Sequence, residues 1–586
     1  MKNMYFIFNV GILLLLAMKL EAQIGLTAQY FEVDGSEDRN IKLRWSADAR
    51  LQSFRVVRKA ATEASTVTIA NSTGGNFYDD YGAPEGPLTY QVFADGTPPQ
   101  SSNPVTISSR PPIDPTNDYS IFDNTQPSTL RLIAKIRLGD TYYGYAIEGD
   151  RDGMSQIVEK SSADGYTFSG DRVVLTRQEV CAASPEGFCK LEAVSFVQHP
   201  RTSEVLLWAH WEDNNGYGQA RVAVAFGQPT GHWTFGGAFR PLGHDSRDLS
   251  FFQDTDGSGY LISATAMNTD MNIYKLTSDW HNVTSLVSTV LKGERREAPS
   301  LIAHDNFYYL FSSHAAGWYP SGGQYISATS LEGPWSPSRN IGNLAGFGAQ
   351  SGSAQKIGSS WVMCANQWSA QWLDPEPPSR QIVFPISLSN GYADYHYYHQ
   401  LRYHEGPTHA GIYGVQSGQV ISVGQSSFTL ASVSAPGEAS QWVSDGINLD
   451  PNQFYQSATV PFSTVIELVE PSLITQIDLT TKLVGGSETA YQFTISGRVG
   501  PSGVFQEIVD KSNNTRVGFV SSMVDDTTTI YSAVRLDVRK VLNVHNKQPA
   551  DWAQGINQLT VYGHVHPFLA SDRQQTRAPF PVKTSR

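Results

Sequence analysis

Tyr308-Tyr309-Leu310 opens an aromatic-led apolar strand directly after a turn, and four other stretches read the same way. They begin at Tyr142-Tyr143, Val205-Leu206, Tyr260-Leu261 and Trp361-Val362, so the five recur at intervals of 63, 55, 48 and 53 residues. Evenly spaced strands with turn signals are the mark of a β-propeller, whose inner strands converge on one axial pocket. Four copies carry a second landmark further on: Tyr166-Thr167-Phe168, His232-Trp233, Asp279-Trp280 and Gly333-Pro334-Trp335. A small or turn residue precedes an aromatic each time, as expected where the outer part of a blade closes. The alternative is an array of β-sandwiches with accidental spacing, which rarely repeats two landmarks together.

The 586 residues are enough for three or four domains. A net charge of −13 argues against nucleic acid or an anionic membrane as partner. At the N-terminus Lys2, the apolar run Gly11 to Met18 and Leu20-Glu21-Ala22 read as a signal peptide over 1–22. That run is short for a span, which needs about 20 apolar residues. The reading is a secreted, extracellular monomer. Cys181 and Cys189 flank a short loop that an oxidising compartment would let them staple, and Cys364 reads as a buried free thiol. Asn71, Asn282 and Asn513 head Asn-x-Ser/Thr sequons.

Residues 24–110 alternate apolar and polar, as in Ile41-Lys42-Leu43-Arg44-Trp45, and predict a small antiparallel sandwich. Trp45 and Tyr90-Gln91-Val92 resemble a fibronectin type III module. A Pro-rich linker at Arg110–Pro115 precedes the repeats, which occupy 118–405. Over 420–563 the strands Thr464–Leu468, Ile474–Leu479, Tyr491–Ser496, Ala533–Val538 and Gln558–Gly563 resemble a discoidin-type (factor 5/8 C-like) jelly roll. Residues 564–586 form a polar tail. The predicted fold is therefore all-β: a five-bladed propeller between a sandwich and a jelly roll.

Acids recur upstream of the repeated strands. Glu192 precedes the second, Asp248 the third and Glu297 the fourth, and the fifth offers Gln350. In a propeller the start of the innermost strand faces the axial pocket, so these groups are expected in one cleft. A carboxyl group among aromatic walls can have its pKa raised and serve as general acid. The alternatives are a surface ion pair for Glu297 with Arg296, a turn carboxylate for Asp248, a solvated Glu192 and a plain loop Gln350. Further pocket candidates are Glu148, Trp208, His210, Tyr217, Asn268, Trp318 and Trp368. For any single Trp, blade core competes with sugar stacking.

Arg296-Glu297-Ala298-Pro299, Gly317-Trp318, Leu331–Trp335, Ser246-Arg247-Asp248 and Gly348-Ala349-Gln350-Ser351 together resemble glycoside hydrolase family 43. Within it they are most similar to the exo-β-1,3-galactanase branch. The resemblance implies a five-bladed propeller that releases galactose from β-1,3-galactan with inversion. It implies Glu297 as general acid, Asp248 as the residue tuning it, Gln350 holding the attacking water and Glu192 contacting the sugar. It calls for no cofactor, although some members bind calcium, which His210 could ligate. The chain departs from the branch where Ala193-Val194 follows Glu192, where Asn366 replaces an Asp, and where a His-Gly-Gly-like stretch is missing. An α-L-arabinofuranosidase or β-xylosidase, or a non-catalytic carbohydrate-binding protein, are the alternatives.

Overall fold

The computed structural model describes residues 24–108, 120–124, 136–368, 373, 379–405, 410–422, 432–434 and 449–565, less short gaps at 37, 47–50, 52, 74, 96–99, 151, 166 and 214. The expected signal peptide, the Arg110–Pro115 linker and nearly all of the tail lie outside the described residues.

Each repeated stretch forms the second strand of a four-stranded antiparallel sheet. These strands are Thr141–Asp150, Val205–Asp213, Gly259–Thr265, Phe307–His314 and Ser360–Gln367. The five sheets follow one another along the chain, each with its strands in sequence order. All nine positions of Val205–Asp213 and all seven of Gly259–Thr265 are buried. Strands covered on both faces read as continuous apolar runs, which is why these stretches stand out in the sequence. The first strands of the second to fifth sheets lie side by side: Cys189–Gln198 meets Leu249–Gln253, which meets Arg296–His304, which meets Gln350–Ile357.

The aromatic landmarks introduce the fourth strands. Trp233 opens Trp233–Phe239, Trp280 precedes Val283–Val290, and Trp335 precedes Arg339–Ile341. Trp233 and Trp280 are fully buried, each over a glycine at a strand end. A Cβ at Gly259 would sit 2.7 Å from the Trp280 ring, and one at Gly227 would sit 2.6 Å from Trp233. The missing side chain makes room for the indole, so glycine and tryptophan form one packing unit.

The N-terminal segment forms two sheets over a core containing Leu43, Trp45, Phe54, Val56 and Tyr90. One of these sheets crosses the expected boundary at 405. Gly25–Val33 pairs in parallel with Ala410–Gln416, which continues into Gln400–Glu405 and then Ser120–Asp123. Eight of the nine positions of Gly25–Val33 are buried, so it is an inner strand and needs a partner on each side. The period-two pattern reports which face is buried but not which distant strand pairs.

In the C-terminal segment the two strands expected at Thr464–Leu468 and Ile474–Leu479 are halves of one 20-residue strand, Phe462–Thr481. Its register shifts between Glu467 and Ser472, around Pro471. The first half pairs mainly with Ile530–Asn543 and the second with Ile556–Val565. Proline cannot donate to a ladder and marks the bend at which the strand changes partner.

Cys181 and Cys189 form a disulfide, and Cys364 is a buried free thiol, its pKa pushed up to about 12 by burial. Among the described residues the one α-helix is a single turn, Arg177–Val180, and no helix is long and apolar enough to cross a membrane.

Replacing Trp280 by Ala empties a closed site and is expected to cost about 3–5 kcal/mol. Gly259→Ala, which overfills the same site, is expected to cost about 1–3 kcal/mol. Lower urea midpoints for both variants check this. A midpoint unchanged by Gly259→Ala would show that the indole can shift freely.

Candidate active site

The polar residues are aimed by backbone bulges. In the second sheet the register slips between Glu192 and Ser195, in the fourth between Glu297 and Ser300, and in the fifth between Ser351 and Ser353. Ala193 and Ala298 take left-handed φ angles of 47° and 49°. Such a conformation costs an L-residue about 1–2 kcal/mol. A bulge re-aims the side chain beside it. Glu192-Ala193-Val194-Ser195 and Glu297-Ala298-Pro299-Ser300 thus share one local device, Glu-Ala-x-Ser, which was readable in the sequence as a short repeat.

These bulges border a cavity of about 1080 Å³ where the first strands of the second to fifth sheets converge. Ligand pockets commonly span about 300–1,000 Å³. Glu192, His210, Tyr217, Asp248, Asn268, Glu297, Trp318, Gln350 and Trp368 all line it. Two expected residues do not. Trp208 is fully buried in a core cluster with Leu206, Tyr274 and Trp280. Glu148 lies on the first sheet, where it accepts a 2.7 Å hydrogen bond from Gln156 Nε2.

Glu297 is buried and held by three donors. Its Oε1 accepts from Gln350 Nε2 at 2.9 Å and from the Ala316 N–H at 3.3 Å, and its Oε2 accepts from Asn268 Nδ2 at 3.2 Å. Burial, then the charge of Asp248, push its pKa up to about 8, against the Ala316 N–H and the nearby Arg296 and Arg247. Oε1 carries two donors and Oε2 one, so an acid proton belongs on Oε2. Arg296 directs its guanidinium to Ser312 Oγ, the Ser312 carbonyl and the Gly322 carbonyl, so it is built into the strand pair rather than the surface.

Asp248 Oδ2 accepts from the Ala298 N–H at 3.1 Å, the residue after the acid. Burial raises its pKa, while His210 and that N–H oppose the rise. The two carboxyl groups are thus coupled through one backbone step and through space, and each disfavours ionisation of the other.

Gln350 is bonded directly to Glu297. Its second amide hydrogen goes to Ser313 Oγ at 3.1 Å, and its Oε1 accepts from Trp368 Nε1 at 2.8 Å. One lone pair of Oε1 remains.

A second polar group forms the opposite end of the lining. His210 Nε2 lies 2.9 Å from Glu212 Oε1, and its Nδ1 lies 3.6 Å from Glu192 Oε2. Glu212 is fully buried and also accepts from the N–H groups of Gln219 and Ala220. Glu192 accepts from Tyr217 Oη at 2.9 Å, and burial with that carboxylate raises the Tyr217 pKa. Lys190 lies 3.5 Å from the centre of the Tyr217 ring. Trp318, 52% exposed, stands at the rim.

Sequence reasoning missed Glu212, Ser313 and the Ala316 N–H. Spacing places Glu212 on the same face as His210, two residues further along one strand. Nothing in sequence marks a backbone N–H supplied by a loop. Among the described residues no group of three or more His, Cys, Asp or Glu side chains is arranged to hold a metal ion.

Residues 205–367 match the family model "Glycosyl hydrolases family 43", a match that covers under a third of the chain. The solved structures similar to this chain include an exo-β-1,3-galactanase variant from Phanerochaete chrysosporium with β-1,3-galactotriose. It is 23% identical, with 73% of this chain and 95% of that one covered and a TM-score of 0.45. An exo-β-1,3-galactanase from Clostridium thermocellum is 23% identical, covering 66% and 94%, with a TM-score of 0.43. A family 43 β-1,3-galactosidase with galactodeoxynojirimycin is 22% identical, covering 44% and 92%, with a TM-score of 0.39. Among curated proteins there is no match.

Asp248→Asn removes the second largest cause of the raised Glu297 value, so the Glu297 titration is expected to move to lower pH. Carbon-13 shifts of labelled glutamate carboxyls, assigned with Glu297→Gln, measure it. A titration that stays near pH 8 would mean that burial alone sets the acid.

Proposed function

We propose that the protein is a secreted, monomeric glycosidase whose five sheets are the blades of a propeller. It releases galactose from the end of β-1,3-galactan with inversion. The single observation that carries the reading is Glu297: a buried carboxyl group at a large cavity, beside Asp248, with its pKa raised to about 8. Such a group holds its proton at neutral pH and can donate it in a transition state. The family 43 match over residues 205–367 supports a glycosidase. The choice of galactan rests on the motif resemblance at Ser246–Asp248, Arg296–Pro299 and Gly348–Ser351.

In this reading the glycosidic oxygen takes the proton from Glu297 Oε2 as its bond to the anomeric carbon breaks. Water attacks that carbon from the opposite face, and its own proton leaves to the solvent in the open cavity. Inverting carboxyl pairs stand about 6.5–9.5 Å apart to admit the water. Gln350 Nε2, at 2.9 Å, is much closer to the acid than that. The sugar ring must therefore displace the Gln350 amide from Glu297, after which the free lone pair of Gln350 Oε1 can hold the water. A neutral amide is a poor base, so its part is positioning. Glu192, with Tyr217 and His210 behind it, contacts the sugar hydroxyls. Trp318 and Trp368 offer ring faces to the sugar. Asn268 keeps Glu297 in place.

Purified protein with β-1,3-galactan is expected to release galactose alone, and nitrophenyl arabinofuranoside and xyloside are expected to stay intact. Pentose release would move the assignment to an arabinofuranosidase or xylosidase, and binding without release would make the cavity a lectin site. Glu297→Gln is expected to lose at least about 100-fold of the rate. The working form is protonated, so kcat/KM should hold below pH 8 and fall as pH rises through about 8. Activity still rising at pH 9 would remove Glu297 from the acid role.

A further inference from the structure

We infer that the C-terminal sheet region is a positioning part of this cavity, acting through His545 on the loop that carries Trp318 and the Ala316 N–H. The inference rests on the reading of Glu297 as the acid. A tethered sugar-binding module would need only a linker to the catalytic sheets. The contacts show a different relation.

Tyr319, next to the rim residue Trp318, places its hydroxyl 3.3 Å from His545 Nδ1, the acceptor in the tautomer whose Nε2–H faces Glu488, with ring centres 4.7 Å apart. His545 Nε2 is fixed in turn by Glu488 Oε2 at 2.5 Å, and Glu488 is buried. Below this pair, Tyr319 and Leu373 pack against Ala490, Val517 and Val544 of the C-terminal region. The Leu373 N–H also donates to the Thr515 carbonyl at 2.8 Å.

The same region braces the approach to Gln350. The Phe347 and Phe519 rings meet edge to face at 5.4 Å, and Asn343 Nδ2 donates to Thr480 Oγ1 at 3.3 Å. Phe347 lies three residues before Gln350, in the single 3₁₀ turn Gly346–Gly348. The C-terminal region therefore touches the chain just before Gln350 and just after the Ala316 N–H. Both groups bond to Glu297 Oε1.

A carboxyl group held by a loop N–H is only as well placed as the loop. Loosening residues 315–319 should weaken the Ala316 bond, which favours the carboxylate form. The pKa of the acid should then rise further, and rim contacts through Trp318 should be lost.

The test uses the full-length protein and three variants. His545→Ala removes ring and hydrogen bond, Tyr319→Phe removes only the hydroxyl donor, and His545→Gln keeps an acceptor for Tyr319 and a donor for Glu488. Hydrogen exchange of amides 315–319 is expected to speed up at least about tenfold in His545→Ala, less in Tyr319→Phe, and to stay near wild type in His545→Gln. The alkaline limb of kcat/KM on β-1,3-galactan should move to higher pH in the same order. Exchange of Ile530–Asn543 in the same samples reports whether the C-terminal region stays folded. If it is lost in His545→Ala, the Tyr319→Phe and His545→Gln pair decides.

Unchanged exchange at 315–319 with the C-terminal strands protected would overturn the inference, whatever the enzyme does. Faster exchange at 315–319 with an unmoved alkaline limb would also overturn it, because the loop would then not set the acid. A wild-type protein that cleaves no galactan would sink the proposed function and leave the exchange result as the measure of the bracing.

Discussion

The arrangement turns on keeping one carboxyl group out of water without leaving its oxygens unpaired. An unpartnered buried polar group costs about 1–3 kcal/mol, and a buried charge costs more. Glu297 answers with three neutral donors: Gln350 from the fifth sheet, Asn268 from the third and the Ala316 N–H from the loop after Phe307–His314. None of them carries a charge that would pull the proton off. Burial and Asp248 then hold the group neutral. A lysine or arginine bonded directly to the carboxylate would have satisfied the same oxygens and abolished the acid. Arg296, one residue away, is turned to Ser312 and Gly322 instead.

Because the donors come from separate sheets, the acid can exist only where those sheets are held in fixed relation. The bulges after Glu192 and Glu297 show how. An alanine in a left-handed conformation is unfavourable in isolation, yet it occurs at the same step in both strands. At Ala298 the N–H released from the ladder goes to Asp248. At Ser300 the side-chain oxygen accepts the Ala354 N–H of the neighbouring sheet at 2.8 Å. The irregular step therefore couples the third, fourth and fifth sheets, and the local strain is balanced by bonds that only the assembled structure provides.

This explains what was legible in the sequence. Val205–Asp213 and Gly259–Thr265 were visible because burial on both faces makes them apolar runs, whereas the mostly half-buried Thr141–Asp150 stood out only through its leading Tyr142-Tyr143; the landmark aromatics Trp233 and Trp280 pack over glycines. The acids were visible because each stands just before a first strand or within its first four residues, upstream of an apolar second strand. Trp208 was not separable from a cavity residue, since an apolar strand looks the same from either side; it is core. The direct bond from Gln350 to Glu297 was not readable because sequence places residues on strands but does not say which side chains meet between sheets. The pairing of Gly25–Val33 with Ala410–Gln416 was invisible for another reason. Nearly 400 residues separate the partners, and each strand's pattern is satisfied by any apolar neighbour.

That long-range pairing also changes how the flanking regions are to be understood. Lys42 is buried and bonds Asp79 and, at 3.1 Å, Gln416 Oε1 from the strand that follows the fifth sheet. Arg44 bonds the other oxygen of Asp79 at 2.7 Å. Burial brings the Lys42 pKa down to about 8, so the ion pair is held at a real desolvation cost. Buried ion pairs seldom add net stability over apolar packing, and where they persist a role in fixing one arrangement is the usual hypothesis. Here the network borders a cavity of about 80 Å³ lined also by Asn343, Phe347, Asp478 and Tyr562. The N-terminal sheet, the segments flanking the fifth sheet and the C-terminal strands all meet there. Lys42, Arg44 and Asp79 lie on two paired strands of one N-terminal sheet, so the bond from Lys42 to Gln416 is the part of the network that reaches the strand Ala410–Gln416. Phe347 borders that junction on one side and leads to Gln350 on the other. The geometry of the acid is therefore continuous with the packing of both flanking regions, and the chain is better described as one framework built around a carboxyl group than as a catalytic unit with attachments.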